Sequence, residues 1–152
     1  MIKLHNGDIF KAPVDVIIHQ ANCFCTMRSG IAKQIRNKFP EAYWEDCKTK
    51  EGDKDKLGKF TKVITPRYII CNLYGQYDFG REPQKCYTNY WAVENGFTNI
   101  KSYLELMNLK KKVIGIPHFM SCALGGGDWN VYYKIIEKIF KNSEFEVLIC
   151  KL

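Results

Sequence analysis

Two polar loops in the sequence carry residue types that could bind or act on an anionic ligand. The first loop, residues 20–29, contains Asn22 and Arg28 and is followed by Gly30. The second loop, residues 118–127, ends in three consecutive glycines, and Asp128 follows them. Glycines leave successive backbone N–H groups free to surround a phosphate, and a helix that begins there adds the positive end of its dipole. The two loops therefore predict a ligand that carries phosphate.

Other chemistries lack their characteristic spacing. No Gly-Lys-Ser/Thr follows the glycines, and G-x-G-x-x-G and G-x-S-x-G are both absent. A cysteine phosphatase needs an arginine six residues after its nucleophile, but Asp128 follows Cys122 at that spacing and Ile31 follows Cys25. Cys23 and Cys25 are too closely spaced for a usual zinc pair, and the three histidines lie far apart in sequence. We expect no metal and no cofactor.

The basic charge favours small anions more than nucleic acid. The 152 residues carry a formal net charge of +7, which draws anionic ligands. A nucleic-acid surface would show a basic stripe with exposed aromatics on one face. Here acidic residues, namely Glu51, Asp53 and Asp55, interrupt the main lysine group, which consists of Lys48, Lys50, Lys54, Lys56, Lys59 and Lys62. We therefore expect a small-molecule ligand and no nucleic acid.

The composition predicts one soluble domain over residues 1–152. Hydrophobic residues make up 46% and aromatic residues 14%, which excludes a disordered chain. There is no run of 18 apolar residues and no N-terminal leader, so we expect no membrane partner. The seven cysteines are odd in number, and several lie in apolar runs, as reduced thiols do. These features predict a cytoplasmic protein.

Alternating strands and helices must position the two loops. The apolar runs predict strands over residues 1–5, 14–19, 57–66, 68–74, 112–117 and 145–150, and the helical spacings predict helices over 31–39, 88–107 and 128–140, with a further helical turn at 41–48. This order is typical of an α/β fold with a mixed or parallel sheet covered on both faces. Both polar loops then follow the carboxyl ends of strands, where such sheets bind ligands. The polar segment 75–85 is long enough to cover a site there.

Four motifs lie in order along the chain, namely GDIF at residues 7–10, VDVIIHQAN at 14–22, SGIA at 29–32 and SCALGGGDW at 121–129. Together they resemble the macrodomain family, an ADP-ribose-binding module. Their order and spacing match over nearly the whole chain. The resemblance implies a three-layer α/β/α macrodomain with a central mixed, mostly parallel sheet of about six strands. HQANC, LGKF at 57–60 and GGGDW are most similar to the branch of ADP-ribose-1''-phosphate phosphatases and terminal ADP-ribose protein glycohydrolases.

The resemblance also implies roles for individual residues. Asp8 would accept from the adenine amino group beside Ile9, and Asn22 would hold the distal ribose. The first-loop backbone at residues 29–31 and the glycine loop would surround the diphosphate. The implied ligand-binding residues are Asp8, Ile9, Asn22, Ser29, Gly30, Ile31, Ser121, Cys122, Ala123, Leu124, Gly125, Gly126 and Gly127. The alternative for Asp8 is an Asx turn after Asn6-Gly7.

The candidate catalytic residues are His19, Asn22 and Asp128. His19 aligns with a histidine of phosphatase-type relatives and could act as general base or acid. Its alternative is a core histidine that bonds a neighbouring strand, and the alternative for Asp128 is a helix N-cap. The glycohydrolase branches carry an aspartate where this chain has Ala32, or a lysine on the strand at 69–76 together with an aspartate where Gly125 stands, and none of these is present.

We therefore predict a hydrolase that dephosphorylates ADP-ribose 1''-phosphate. Two alternatives remain open. One is a module that binds ADP-ribose without chemistry. The other is a de-ADP-ribosylating glycohydrolase, whose partner would be an ADP-ribosylated macromolecule. The same ligand contacts would serve all three, so these contacts do not separate them.

Overall fold

The computed structural model describes residues 1–80, 82, 85–118 and 127–152. Six strands form one sheet: β1 Ile2–Asn6, β2 Val16–Ala21, β3 Phe60–Ile64, β4 Ile69–Tyr74, β5 Val113–Pro117 and β6 Glu146–Lys151. Their order is β1-β6-β5-β2-β4-β3, and β3–β4 is the one antiparallel pair among these strands. The predicted α/β fold with a mixed, mostly parallel sheet is confirmed.

Helices cover both faces of this sheet. The four helices in the described ranges are α1 Gly30–Lys38, α2 Pro40–Cys47, α3 Tyr90–Glu105 and α4 Trp129–Phe140. Apolar residues of α3 and α4, such as Phe97 and Ile136, pack on one face against Ile18 of β2. On the other face, α1 and α2 pack against Ile17. All six residues of β2 are buried, because this strand is central and has helices on both sides.

The element ends differ from the predictions by a few residues. β2 continues to Ala21, because its pairing with β4 holds as far as the partners Ala21 and Tyr74. β3 is shorter than the predicted 57–66, because the Lys59 backbone N–H still donates to the Lys56 carbonyl of the preceding turn and a turn at Thr65 follows the strand. Gly96 lies inside α3 where the helix crosses β4, and a Cβ there would lie 2.6 Å from Leu73 Cγ.

Two further features of the described residues are the character of the helices and the state of the cysteines. None of the helices in the described part combines the length and the apolar character needed to cross a bilayer. The six cysteines that the structure describes, Cys23, Cys25, Cys47, Cys71, Cys86 and Cys150, are free thiols.

Candidate functional site

The first turn of α1 lies between two cavities at the carboxyl edge of the sheet. The Asp8 cavity has a volume of about 290 Å³ and includes Ile31 and Gln34 of α1 in its wall. The Asn22 cavity has a volume of about 160 Å³ and includes Ser29 and Ala32 in its wall. One short helix therefore contributes to both cavities.

The Asp8 cavity forms where β1, β5 and β6 end. Its wall consists of Gly7, Asp8, Ile9, Ile31, Gln34, Pro117, His118, Cys150, Lys151 and Leu152. Asp8 Oδ1 accepts a hydrogen bond from the Phe10 backbone N–H at 2.9 Å and caps the 3-10 turn Ile9–Lys11. The local turn that was the alternative role of Asp8 is thus present. The side chain also lines the cavity, and Oδ2 can accept from a ligand.

The Asn22 cavity forms beyond the end of β2. Its wall consists of Gln20, Ala21, Asn22, Thr26, Met27, Arg28, Ser29, Ala32, Gln76, Phe79 and Gly80. Asn22 Oδ1 accepts from the Phe24 backbone N–H at 2.8 Å, and Asn22 Nδ2 donates to Thr26 Oγ1 at 2.7 Å. These two bonds fold the loop around the amide. One lone pair and one amide hydrogen remain for a ligand hydroxyl.

The start of α1 presents backbone N–H groups between the cavities. Ser29 is the N-cap, and its side chain makes no capping hydrogen bond in the described structure. Gly30 has φ +56°, a left-handed conformation that glycine adopts without strain. The first N–H groups of a helix lack intrahelical partners and lie at the positive end of its dipole. An anion that bridges the two cavities would meet these donors.

His19 lies inside the sheet, away from both cavity walls. The side chain is fully buried, and its Nε2 lies 2.6 Å from Asn72 Oδ1. The Asn72 amide nitrogen donates to the Ala42 carbonyl and to Thr61 Oγ1, so Oδ1 is the acceptor and His19 Nε2 donates. Burial lowers the pKa of His19 to about 4, so the ring is neutral at pH 7. These are the features of the core alternative, and a catalytic role of His19 stays a prediction.

Asp128 lies at the start of α4 and is exposed. Its Oδ1 accepts from the Asn130 backbone N–H at 2.9 Å, which is the N-cap bond of the alternative role. Its backbone N–H donates to the Tyr90 hydroxyl at 2.6 Å. Asp128 lies on neither cavity wall. The described structure therefore brings Asn22 to a cavity without bringing His19 or Asp128 there.

Of the predicted glycine-loop residues, Gly127 alone lies in the described part of the chain. The predicted positions Ser121, Cys122, Ala123, Leu124, Gly125 and Gly126 lie outside the described residues. Gly127 is described and directly precedes the N-cap of α4. The roles predicted for these residues stay predictions.

Several wall residues were not among the predicted ligand-binding or catalytic residues. Gln20, Thr26 and Arg28 line the Asn22 cavity together with Gln76 and Phe79. The polar segment 75–85 was expected to cover a site, which was the available signal for the last two. Gln20 was assigned to a loop, but it lies in β2, where its Nε2 donates to Gln76 Oε1 at 2.8 Å and to Thr88 Oγ1 at 3.1 Å.

The sequence is similar to a phage protein over nearly its whole length and to part of a bacterial glycohydrolase. No protein-family model matches the chain. An uncharacterized 17.5 kDa protein in the tk-vs intergenic region of Enterobacteria phage T4 is 30% identical over 156 residues, which cover 98% of this chain and 95% of that protein. The DNA ADP-ribosyl glycohydrolase of Mycobacterium tuberculosis is 33% identical over 78 residues, or 46% of this chain, and the match spans about a fifth (21%) of that longer protein.

Solved structures show the same fold. The macrodomain of Mycobacterium tuberculosis DarG has a TM-score of 0.80 at 20% identity, with 100% of this chain and 98% of that chain covered. Thermosipho africanus DarTG in complex with ADP-ribose has a TM-score of 0.71 at 17% identity, with 97% of this chain and 41% of that chain covered. The chain therefore belongs to the same family as the phage T4 protein, and its fold is that of a macrodomain.

Proposed function

We propose that this chain binds ADP-ribose or an ADP-ribose derivative across the two cavities. The observation that carries the proposal is the position of α1, whose first turn contributes to the walls of both cavities. A ligand with two separate polar ends and a diphosphate between them matches this arrangement. The ADP-ribose complex of Thermosipho africanus DarTG, which shares the fold, supports the same ligand class.

The larger cavity suits the adenine. Its wall combines apolar side chains, such as Ile9 and Ile31, with the Asp8 carboxylate. Apolar side chains can cover the faces of a base, and a carboxylate oxygen can accept from its exocyclic amine. The diphosphate would then reach the N–H groups at Ser29 and Gly30.

The smaller cavity suits the distal ribose. Asn22 and Gln20 offer amide groups to ribose hydroxyls, and Phe79 at the mouth is 47% exposed. The short internal bonds of Asn22 fix the orientation of its amide before a ligand arrives. Such preorganisation lowers the entropic cost of binding.

Filling the smaller cavity tests this assignment. Ala32 is half-buried on α1 and lines the Asn22 cavity, so Ala32→Trp should occupy the space of the distal ribose. We expect isothermal titration calorimetry to show an ADP-ribose dissociation constant raised by about tenfold or more, with AMP affinity retained. Lys33→Trp places the same side chain at the next, exposed position and should leave both affinities unchanged. Unchanged ADP-ribose affinity in Ala32→Trp would contradict the assignment.

As a second candidate we propose hydrolysis of the 1''-phosphate of ADP-ribose 1''-phosphate. The specific observation in its favour is Arg28, an exposed guanidinium in the wall of the Asn22 cavity. A guanidinium binds phosphate oxygens with charge-assisted hydrogen bonds. Water would attack phosphorus, the bond from phosphorus to the C1'' oxygen would break, and that oxygen would take up a proton.

Product analysis with ADP-ribose 1''-phosphate tests the second candidate. We expect ADP-ribose and inorganic phosphate from the wild type, and turnover reduced by about tenfold or more in Arg28→Ala because a phosphate contact is lost. Lys33→Ala removes an exposed charge from the same helix and is the control. The same assay on His19→Gln decides between its catalytic and core roles. ADP-ribose binding without turnover would leave the binding module or a glycohydrolase of ADP-ribosylated macromolecules.

A further inference from the structure

The loop that lines the Asn22 cavity has a strained backbone. Cys25 has φ +58° and Met27 has φ +43°, and neither residue is glycine. A non-glycine residue in the left-handed region is strained and persists only where surrounding contacts hold it. The loop therefore needs fixed partners outside itself. Arg36 supplies one of them, since its Nη1 donates to the Thr26 carbonyl at 3.0 Å.

Lys56 supplies two further contacts from beneath the loop. It ends the 3-10 turn Lys54–Lys56 and is only 7% exposed. Its Nζ donates to the Cys23 carbonyl at 3.0 Å and to Cys25 Sγ at 3.6 Å. One ammonium group thus contacts the loop on both sides of Phe24, next to the strained Cys25 backbone.

The surroundings of Lys56 accommodate its positive charge. Nζ lies 4.8 Å from the centre of the Tyr74 ring, a cation–π arrangement. Asp46 is fully buried, accepts from the Tyr74 hydroxyl at 2.6 Å and interacts electrostatically with Lys56. Burying such charges is expensive, and apolar side chains of similar volume often stabilise a core as well or better. Stability alone therefore does not account for a lysine here, whereas its two loop contacts do.

The segment that Lys56 contacts lies between two residues of the Asn22 cavity wall. Asn22 and Thr26 flank the segment that Lys56 contacts, and both line the cavity together with Arg28. We infer that Lys56 is a positioning residue, which holds the loop in the shape that receives the distal ribose. This inference rests on the proposed function. It adds a residue that touches no ligand and that lies outside both cavity walls.

The test compares two ligands on two variants. Lys56→Met keeps much of the side-chain volume and removes the ammonium, and Lys59→Met removes an exposed charge three residues away. ADP-ribose would occupy both cavities, whereas AMP would occupy the Asp8 cavity and the start of α1. For Lys56→Met we expect the ADP-ribose dissociation constant to rise by about tenfold or more and the AMP constant to stay within about twofold. Lys59→Met should match the wild type for both.

Two outcomes of this titration would overturn the inference. One is wild-type ADP-ribose affinity in Lys56→Met. The other is an equal loss of AMP and ADP-ribose affinity, which would show a general structural role. If the wild type binds AMP and fails to bind ADP-ribose, the proposed function fails and the inference falls with it. The proposed function stands whenever the wild type binds ADP-ribose. In that case the behaviour of Lys56→Met tests the inference alone.

A measurement on the wild type covers the case in which Lys56→Met does not fold. If the loop position and ligand binding are coupled, ADP-ribose must in turn restrict the opening that exposes Lys56. We expect saturating ADP-ribose to slow acetylation of Lys56 by N-hydroxysuccinimidyl acetate by about fivefold or more, as followed by mass spectrometry. AMP should not slow it, and Lys59 should react equally throughout. Equal Lys56 acetylation with and without ADP-ribose would overturn the inference.

Discussion

Between pH 7 and pH 4 the wild type should lose much of its free energy of unfolding through His19. The variant His19→Gln should not show this part of the loss. Burial lowers the pKa of His19 from 6.5 to about 4, so in this range the unfolded chain takes up a proton that the folded chain refuses. The stability contribution is fully present above pH 6.5 and is lost progressively as the pH falls towards 4. The pKa difference corresponds to about 3 kcal/mol. Glutamine can still donate to Asn72 Oδ1 and does not titrate.

Urea unfolding of both proteins at pH 7 and at pH 4 measures this effect. The informative quantity is the difference in the free energy of unfolding between wild type and His19→Gln, because the other groups contribute equally to both proteins. The contribution of Asp46 to the pH dependence of stability has the opposite sign. Burial raises the pKa of Asp46, so its protonation at low pH relieves a penalty on the folded state. His5→Gln, on the edge strand β1, is the control and should keep the wild-type loss. Parallel pH dependences for wild type and His19→Gln would contradict the buried, neutral imidazole.

Tyr74→Phe should destabilise the fold by about 3 kcal/mol at pH 7. The Tyr74 hydroxyl donates to Asp46 Oδ1 at 2.6 Å, and Asp46 Oδ2 is buried with no hydrogen-bond partner in the described structure. Removing the hydroxyl therefore leaves a buried carboxyl group without this donor. The bond from Tyr74 holds the pKa of Asp46 down, so its loss raises that pKa further above the ordinary value. The defect should shrink as the pH falls and Asp46 becomes neutral.

Equilibrium unfolding of Tyr74→Phe at pH 7 and pH 5 measures both parts of this prediction. Tyr68→Phe is the matched control, because its hydroxyl donates to a neutral acceptor, the Phe10 carbonyl, at 2.7 Å. Its loss should cost about 1 kcal/mol at either pH. Equal, pH-independent losses in the two variants would show that Asp46 is not the partner that matters.

The fold was largely predictable, because apolar runs and helical spacings mark its elements. The end of β2 was not. In a strand buried on both faces no alternation exists, so its end was assigned to the first polar residues, His19 and Gln20. Both are buried, and their partners Asn72 and Thr88 lie 53 and 68 residues away along the chain. A local pattern does not contain such partners.

The candidate site was predictable only in part, for a related reason. The resemblance implied Asp8, Asn22 and the start of α1, which lie within the recognisable motifs and which the structure places at the two cavity walls. The Asp8 cavity also uses Cys150 and Lys151, which reach it because β6 lies between β1 and β5. Strand order of this kind follows from long-range packing. Lys56 appeared in the sequence as one of many loop lysines, and only its burial distinguishes it.

The single helix shared by the two cavities has a consequence for selectivity. Because α1 is one nine-residue segment, the separation of the cavities is set by its backbone and does not adjust to each ligand. A molecule that fills one cavity delivers its other end to the second at a high effective concentration, provided that its length matches. Two unlinked halves forgo this advantage. The pair of cavities should therefore select ligands by length as much as by functional groups. A ligand whose diphosphate linker is shortened to one phosphate should bind little better than the tighter-binding of its two halves does alone.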